Sequence, residues 1–187
     1  MRTLPETSLD WVLLAVGTAT AIIIAVALQD FFLDSRAPSH KLRAMQDVSV
    51  AFAVTHFGIL LLRGGVSPPW AIAGIGLYVA ATLLFLSAIE AARRVHLPRA
   101  FVEDPKPRAL ITSGPFRLVR HPFYLAYGLA WLAAPVATWG PVISLIALIQ
   151  IVTFVVAARR EERQLEELFG EGYRAYKRKT GMFLPYL

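Results

Sequence analysis

The chain has 187 residues, 56% of them apolar, a formal net charge of +6 and no cysteine. Length alone is compatible with one or two soluble domains, but the charge distribution excludes them, because the apolar residues gather into long uncharged runs. The missing cysteines exclude disulfides and a thiolate nucleophile.

The start, "MRTLPETSLDWVLL", sets acidic Glu6 and Asp10 ahead of an apolar run and shows no convincing processing site, so it reads as a membrane segment rather than a cleaved leader. Uncharged stretches cover Trp11–Leu28, Val48–Leu62, Gly64–Ile89 and Pro122–Ala158. A helix needs about 20 apolar residues to cross roughly 30 Å of hydrocarbon. The last stretch, 37 residues long, exceeds one crossing. Its middle, "APVATWGPV" at 134–142, holds the helix breakers Pro135, Gly140 and Pro141 and an interface-seeking Trp139, so it splits into a tight hairpin. Five crossings are predicted, at about 9–31, 46–62, 69–90, 122–137 and 141–158. Gly64, Gly65, Pro68 and Pro69 mark a short outer loop. The runs are continuous rather than alternating, which argues against a β-barrel. The fold class is an all-α integral membrane protein, its fourth and fifth helices a hairpin, with a cytoplasmic C-terminal helical segment.

Charge tests the count. Five crossings put segments 34–45, 91–121 and 159–187 on one side, and these hold 17 of the 19 basic residues, leaving Arg2 and Arg63 on the other. Basic loops stay cytoplasmic, so the chain is expected in an inner membrane with its N-terminus outside and its C-terminus in the cytoplasm. The net charge then serves anionic lipid headgroups. It argues for no nucleic-acid partner, since no soluble basic domain carries it. His40, His56, His96 and His121 are scattered without ligand spacing, so no metal site is expected. His56 reads as a helix–helix hydrogen-bonding residue.

Two polar clusters flank the hairpin. In "TSGPFRLVRHPFY", 112–124, Ser113, Gly114 and Pro115 form a turn and Pro122 opens the fourth crossing. Arg120 and His121 thus stand at a helix N-terminus, where free N–H groups and the dipole favour an anion. The same residues also serve as membrane-edge anchors, and the residues alone leave both readings open. The second cluster, 158–187, reads as a helix leaving the membrane, stopping near Gly170 or Gly172, then a short helix with Tyr173 and Tyr176. Leu165, Leu168 and Phe169 form a stripe expected to pack on the cytoplasmic loops. Arg163 and Glu167 suit an i,i+4 surface pair, and Glu162 suits a pair with Arg159. Glu161 has no partner on its own helix and is expected to face inward, toward the first cluster.

"GPFRLVRHPFY", a gap of about forty residues, then "EERQLEELFGEGYRAYKRKTGMFLP" together resemble the isoprenylcysteine carboxyl methyltransferase family, in a prokaryotic-type version. The resemblance covers about residues 105–187 as a catalytic core, leaving 1–104 as N-terminal membrane helices and a cytoplasmic loop. It implies a membrane-embedded methyltransferase that uses S-adenosyl-L-methionine without a Rossmann motif. By position it implies that His121, Tyr124, Glu161 and Tyr173 hold the cofactor, with backbone from Pro122 and Leu125, and that Arg120, Glu162 and Lys179 are catalytic. Lys179 stands where the eukaryotic members carry arginine, and lysine offers no bidentate clamp for a carboxylate. The acceptor is expected to be lipid-like, arriving from the bilayer, with its identity open. Two other readings are an NADPH-dependent membrane reductase of the sterol-reductase type and a non-enzymatic membrane scaffold.

Overall fold

The structure is a computed structural model, described here for residues 8–30, 54–55, 58, 65–93 and 109–186. The predicted crossing at 46–62, with His56, lies almost wholly outside the described residues, as do His40, His96, Arg2, Arg63 and segment 34–45. Helix α1 covers Ser8–Asp30 and α2 covers Pro68–Ala92. A 3-10 turn at Gly114–Arg117 precedes α3, Pro122–Thr138, and α4, Pro141–Phe169. A short α5, Glu171–Lys179, follows. The described residues contain helices and a single isolated bridge but no strand. Ser8–Ala27, Pro68–Ala92 and Pro141–Phe169 are long and apolar enough to cross a membrane. The chain is an integral membrane protein.

The hairpin forms where the breakers predict it. Trp139 adopts a left-handed backbone, φ 52°, and its N–H caps Pro135 O at 2.8 Å. Pro141, at the first position of α4, loses no helical hydrogen bond. Trp139 meets Trp70 edge to face, ring centroids 4.7 Å apart, which ties the hairpin tip to the start of α2. Asp10, 1% exposed, accepts a hydrogen bond from Val66 N at 3.1 Å and fastens α1 to the same end.

Lipid gives helices no hydrophobic reason to associate, so close packing and interhelical hydrogen bonds must do so. Small residues provide the approach. A Cβ on Gly74 would lie 2.9 Å from Ala137 Cβ and 3.0 Å from Ala133 O, so α2 and α3 touch nearly backbone to backbone. Thr20 and Thr82 share a hydrogen bond of 2.9 Å between α1 and α2. Toward the end opposite the hairpin tip the core turns aromatic: Phe85 on α2 packs with Phe123 and Tyr127 on α3, and Tyr124 and Tyr127 pack on Phe154 of α4. Along α4 the opposite face shows Val142, Leu145, Leu148, Ile149, Val152 and Val156 to lipid. Only residues 141–158 of α4 are charge-free, so its last three turns project beyond the hydrocarbon.

Candidate active site

The projecting turns of α4 stand beside the start of α3 because the intervening hairpin is tight. Three local devices hold the opposing wall. Gly114 takes φ +57° and packs where a Cβ would fall 2.9 Å from Ala91 Cβ, pressing the 3-10 turn onto the end of α2. Val119 and Gly181 form a parallel bridge, with Arg120 N donating to Gly181 O at 2.8 Å and His121 N to Met182 O at 3.2 Å. Tyr176 Oη donates to Phe116 O at 2.6 Å. Gly170, φ 54° and ψ −125°, breaks α4 from α5 and lets α5 fold back to supply these contacts.

Arg120 is the centre of the clasp. It is 7% exposed, and its Nε donates to Glu162 Oε1 at 2.6 Å. Its Nη1 donates to Thr180 O and, at 3.3 Å, to Lys177 O, capping the end of α5. Burial opposes its charge, but the Glu162 hydrogen bond and the attraction between the pair hold the guanidinium ionised more firmly than usual. The fork is thus spent on the protein. The expected anion site of Arg120 at a helix N-terminus is corrected here: the residue joins α4 to α5.

Both glutamates meet the first cluster: Glu161 lies against His121, as expected, and accepts a hydrogen bond from Tyr124, whereas Glu162 departs from the expected surface pair. Glu162 is the more deeply buried carboxylate, 5% exposed, paired with Arg120 rather than with Arg159. Burial resists its ionisation, yet the neighbouring His121 ring and the hydrogen bond and charge of Arg120 prevail and lower its pKa to about 2. Glu161 has a side chain 42% exposed, with Oε2 3.8 Å from His121 Nδ1. The reason is the partner: Arg120 rises from the adjacent segment beneath Glu162, while Arg159 lies exposed on the surface. Lys177 adds a second cation, 3.6 Å from Glu162 and 3.7 Å from Glu166.

His121, 4% exposed, lies between the carboxylates, its ring beside Tyr124 and Phe183. Its Nε2 is 3.5 Å from Glu162 Oε1 without hydrogen-bond geometry, so that nitrogen is buried and unpaired. Tyr173, 1% exposed, likewise leaves its Oη unpaired. Burial, with Glu162 nearby, pushes that phenol well above its ordinary range, so it acts as a donor. Two orphaned polar atoms, both near Glu162, fit a polar ligand such as a cofactor bearing an ammonium, a carboxylate and hydroxyls.

The fold therefore gathers Arg120, His121, Tyr124, Glu161, Glu162 and Tyr173 at one end of the bundle. Pro122 has no N–H and the Leu125 N–H closes the first helical turn on His121 O at 3.0 Å, so neither offers a backbone donor to a ligand. Lys179 is exposed, and neither Glu161 nor Glu162 pairs with it. Sequence reasoning missed Lys177, whose signal was its i+4 spacing from Tyr173. Glu167 does not pair with Arg163 among the described ion pairs; Glu166 pairs instead with Arg174 at 2.8 Å. Leu168 is 48% exposed rather than packed on a loop.

A polytopic helical bundle with a buried charge cluster at the base of a hairpin is the class this geometry defines. The family model of the phospholipid methyltransferases matches residues 70–172, just over half the chain, so the chain belongs to that family. Among similar proteins, the methanethiol S-methyltransferase of Pseudomonas deceptionensis is 38% identical over 72 residues, which is 38% of this chain and 27% of that protein. Methanethiol S-methyltransferase 1 of Bradyrhizobium diazoefficiens is 41% identical over 71 residues, 38% of this chain and 24% of that protein. The Mycobacterium tuberculosis methanethiol S-methyltransferase is 37% identical over 71 residues, 38% and 28% respectively. The match thus spans about a quarter of the length of these relatives.

Proposed function

We propose that the chain is an S-adenosylmethionine-dependent membrane methyltransferase, with residues 105–187 as its catalytic core and its site on the cytoplasmic side. The observation that carries this reading is the buried Arg120–Glu162 pair beside two orphaned polar atoms, His121 Nε2 and Tyr173 Oη, inside the region that matches the family. The family match favours it over a nicotinamide-dependent reductase.

The cofactor supplies an electrophilic methyl on a sulfonium. Glu161, partly open to solvent, suits its ammonium and ribose hydroxyls, and Tyr173 Oη and Lys177 suit its carboxylate. The rest of the chemistry is alignment. An acceptor lone pair forms the new bond to carbon while the carbon–sulfur bond breaks and its electron pair stays on sulfur. Rate then comes from holding the two in line, which buried, clasped side chains do well. His121 Nε2 is the unpaired base at hand for a proton released by the acceptor.

The acceptor we favour is a membrane-partitioned nucleophile without a carboxylate, with a thiol as first candidate. Arg120 is spent on Glu162 and Lys179 is exposed, so a bidentate carboxylate clamp is lacking at both positions. The relatives' names give methanethiol as their acceptor. The test is isothermal binding of S-adenosylhomocysteine, followed by transfer of a labelled methyl group to methanethiol, a farnesylcysteine analogue and phosphatidylethanolamine. Binding is expected to fall roughly 10- to 150-fold in His121→Ala or Glu161→Gln, the loss of one charge-assisted contact. Labelled thioether from the thiol should exceed ester from the farnesylcysteine. Undiminished binding in both variants would move the site elsewhere.

A further inference from the structure

Gln150 is a buried polar group away from the charge cluster. It sits within the charge-free part of α4, 4% exposed, on the inward stripe Ile143, Ala147, Gln150, Phe154 and Ala158. Its Nε2 is buried and, among the described residues, without a hydrogen-bond partner. Inside hydrocarbon no water compensates an unpaired amide, so its burial is costly. Leucine would fill a similar volume with no such penalty. Among the described residues no atom supplies the missing partner, which leaves the amide available to an atom that arrives with a ligand.

Helical register says where that atom belongs. Eleven residues separate Gln150 from Glu161, which at 100° per residue brings both to within about 20° of one face and about 16 Å apart along the axis. Phe154 lies between them and packs on Tyr124 and Tyr127 of α3 at 6.0 and 5.7 Å. One face thus carries a carboxylate at the cytoplasmic mouth, an aromatic wall and an amide donor deep in the bilayer.

We infer that Gln150 is a specificity-determining residue for the acceptor: its Nε2–H donates to an oxygen on the apolar body of an elongated, membrane-partitioned acceptor whose nucleophile lies at the His121–Glu161 end. This rests on the methyltransferase reading. It adds that the preferred acceptor is long and oxygen-bearing rather than a bare small thiol.

The experiment uses the full chain in detergent with S-adenosylhomocysteine, and reads thermal shifts on titration with dodecanethiol or with thiols of equal length in which an ether oxygen replaces successive methylenes. One position of the oxygen is expected to tighten binding to wild type about tenfold over dodecanethiol. Gln150→Leu should abolish that preference, leave S-adenosylhomocysteine affinity unchanged, and raise the unfolding temperature of the ligand-free protein. No preferred oxygen position in wild type, a preference that survives Gln150→Leu, or a lower unfolding temperature in the variant would overturn the inference. Failure of wild type to bind S-adenosylhomocysteine would instead sink the methyltransferase reading, so the two failures are distinguishable.

Discussion

Glu162 shows how one side chain serves both stability and the site. Its carboxylate meets Arg120 at 2.6 Å and Lys177 at 3.6 Å while only 5% exposed. Removing one partner of a buried pair leaves the other charge uncompensated, at on the order of 3–5 kcal/mol. Glu162→Gln is therefore expected to lower stability by that order in chemical denaturation in detergent, and to weaken S-adenosylhomocysteine binding. Lys179→Ala, at an exposed position, should stay within about 0.5 kcal/mol of wild type. Equal losses in the two variants would show that the clasp does not hold the fold. A pH dependence follows with a definite sign. The Glu162 pKa is lowered to about 2 in the folded state, below the ordinary carboxylate value of about 4.3. Its contribution is complete above the unfolded value and is lost as pH falls from about 4.3 toward 2. Glu166 and Glu171 are lowered too, by Arg174 and Arg178 foremost, but at the surface, where salt screens them. Acid unfolding should keep its Glu162 limb at high salt, and Glu162→Gln should lose it.

At the scale of elements, the site depends on a short return of the chain rather than on a long helix. The tail after α5 turns at Gly181, where an added Cβ would sit 1.6 Å from Leu184 O. That overlap is with backbone, so the tail itself must move. The carbonyls of Gly181 and Met182 are the ones that hold the N–H groups of Arg120 and His121. Gly181→Ala should therefore release the 119–121 segment, weakening S-adenosylhomocysteine binding by tenfold or more while α-helical circular dichroism stays unchanged. Binding equal to wild type would show that the tail is dispensable for placing His121. Gly74 is the comparable close approach among the membrane helices, set by Ala133 and Ala137.

For the whole molecule, the charge asymmetry of 17 basic residues to 2 predicts one orientation. That orientation would put His121, Glu161 and Glu162 on the cytoplasmic side, where the proposed water-soluble donor would meet an acceptor arriving from the bilayer. A reporter fused after Leu187 should be active in the cytoplasm. Activity on the external side would invert the orientation and put the site out of reach of a cytosolic cofactor.

Hydropathy and punctuation alone determined the membrane class, α1, α2 and the hairpin, because crossing hydrocarbon demands long apolar runs and Pro135, Gly140 and Pro141 interrupt one of them. The motif around Arg120 and His121, with the glutamate pair some forty residues on, also placed the candidate site at the base of that hairpin. Periodicity directed Glu161 toward the first cluster, where it meets His121, but gave no sign that Glu162 would be the more deeply buried of the two, because its partner Arg120 comes from another element. The same holds for Lys177 over Lys179, which was settled by where Gly170 lets α5 fold back. Gln150 was invisible for a related reason. A lone amide in an apolar run is ordinary in sequence, and becomes telling only when packing leaves its nitrogen without a partner among the described residues.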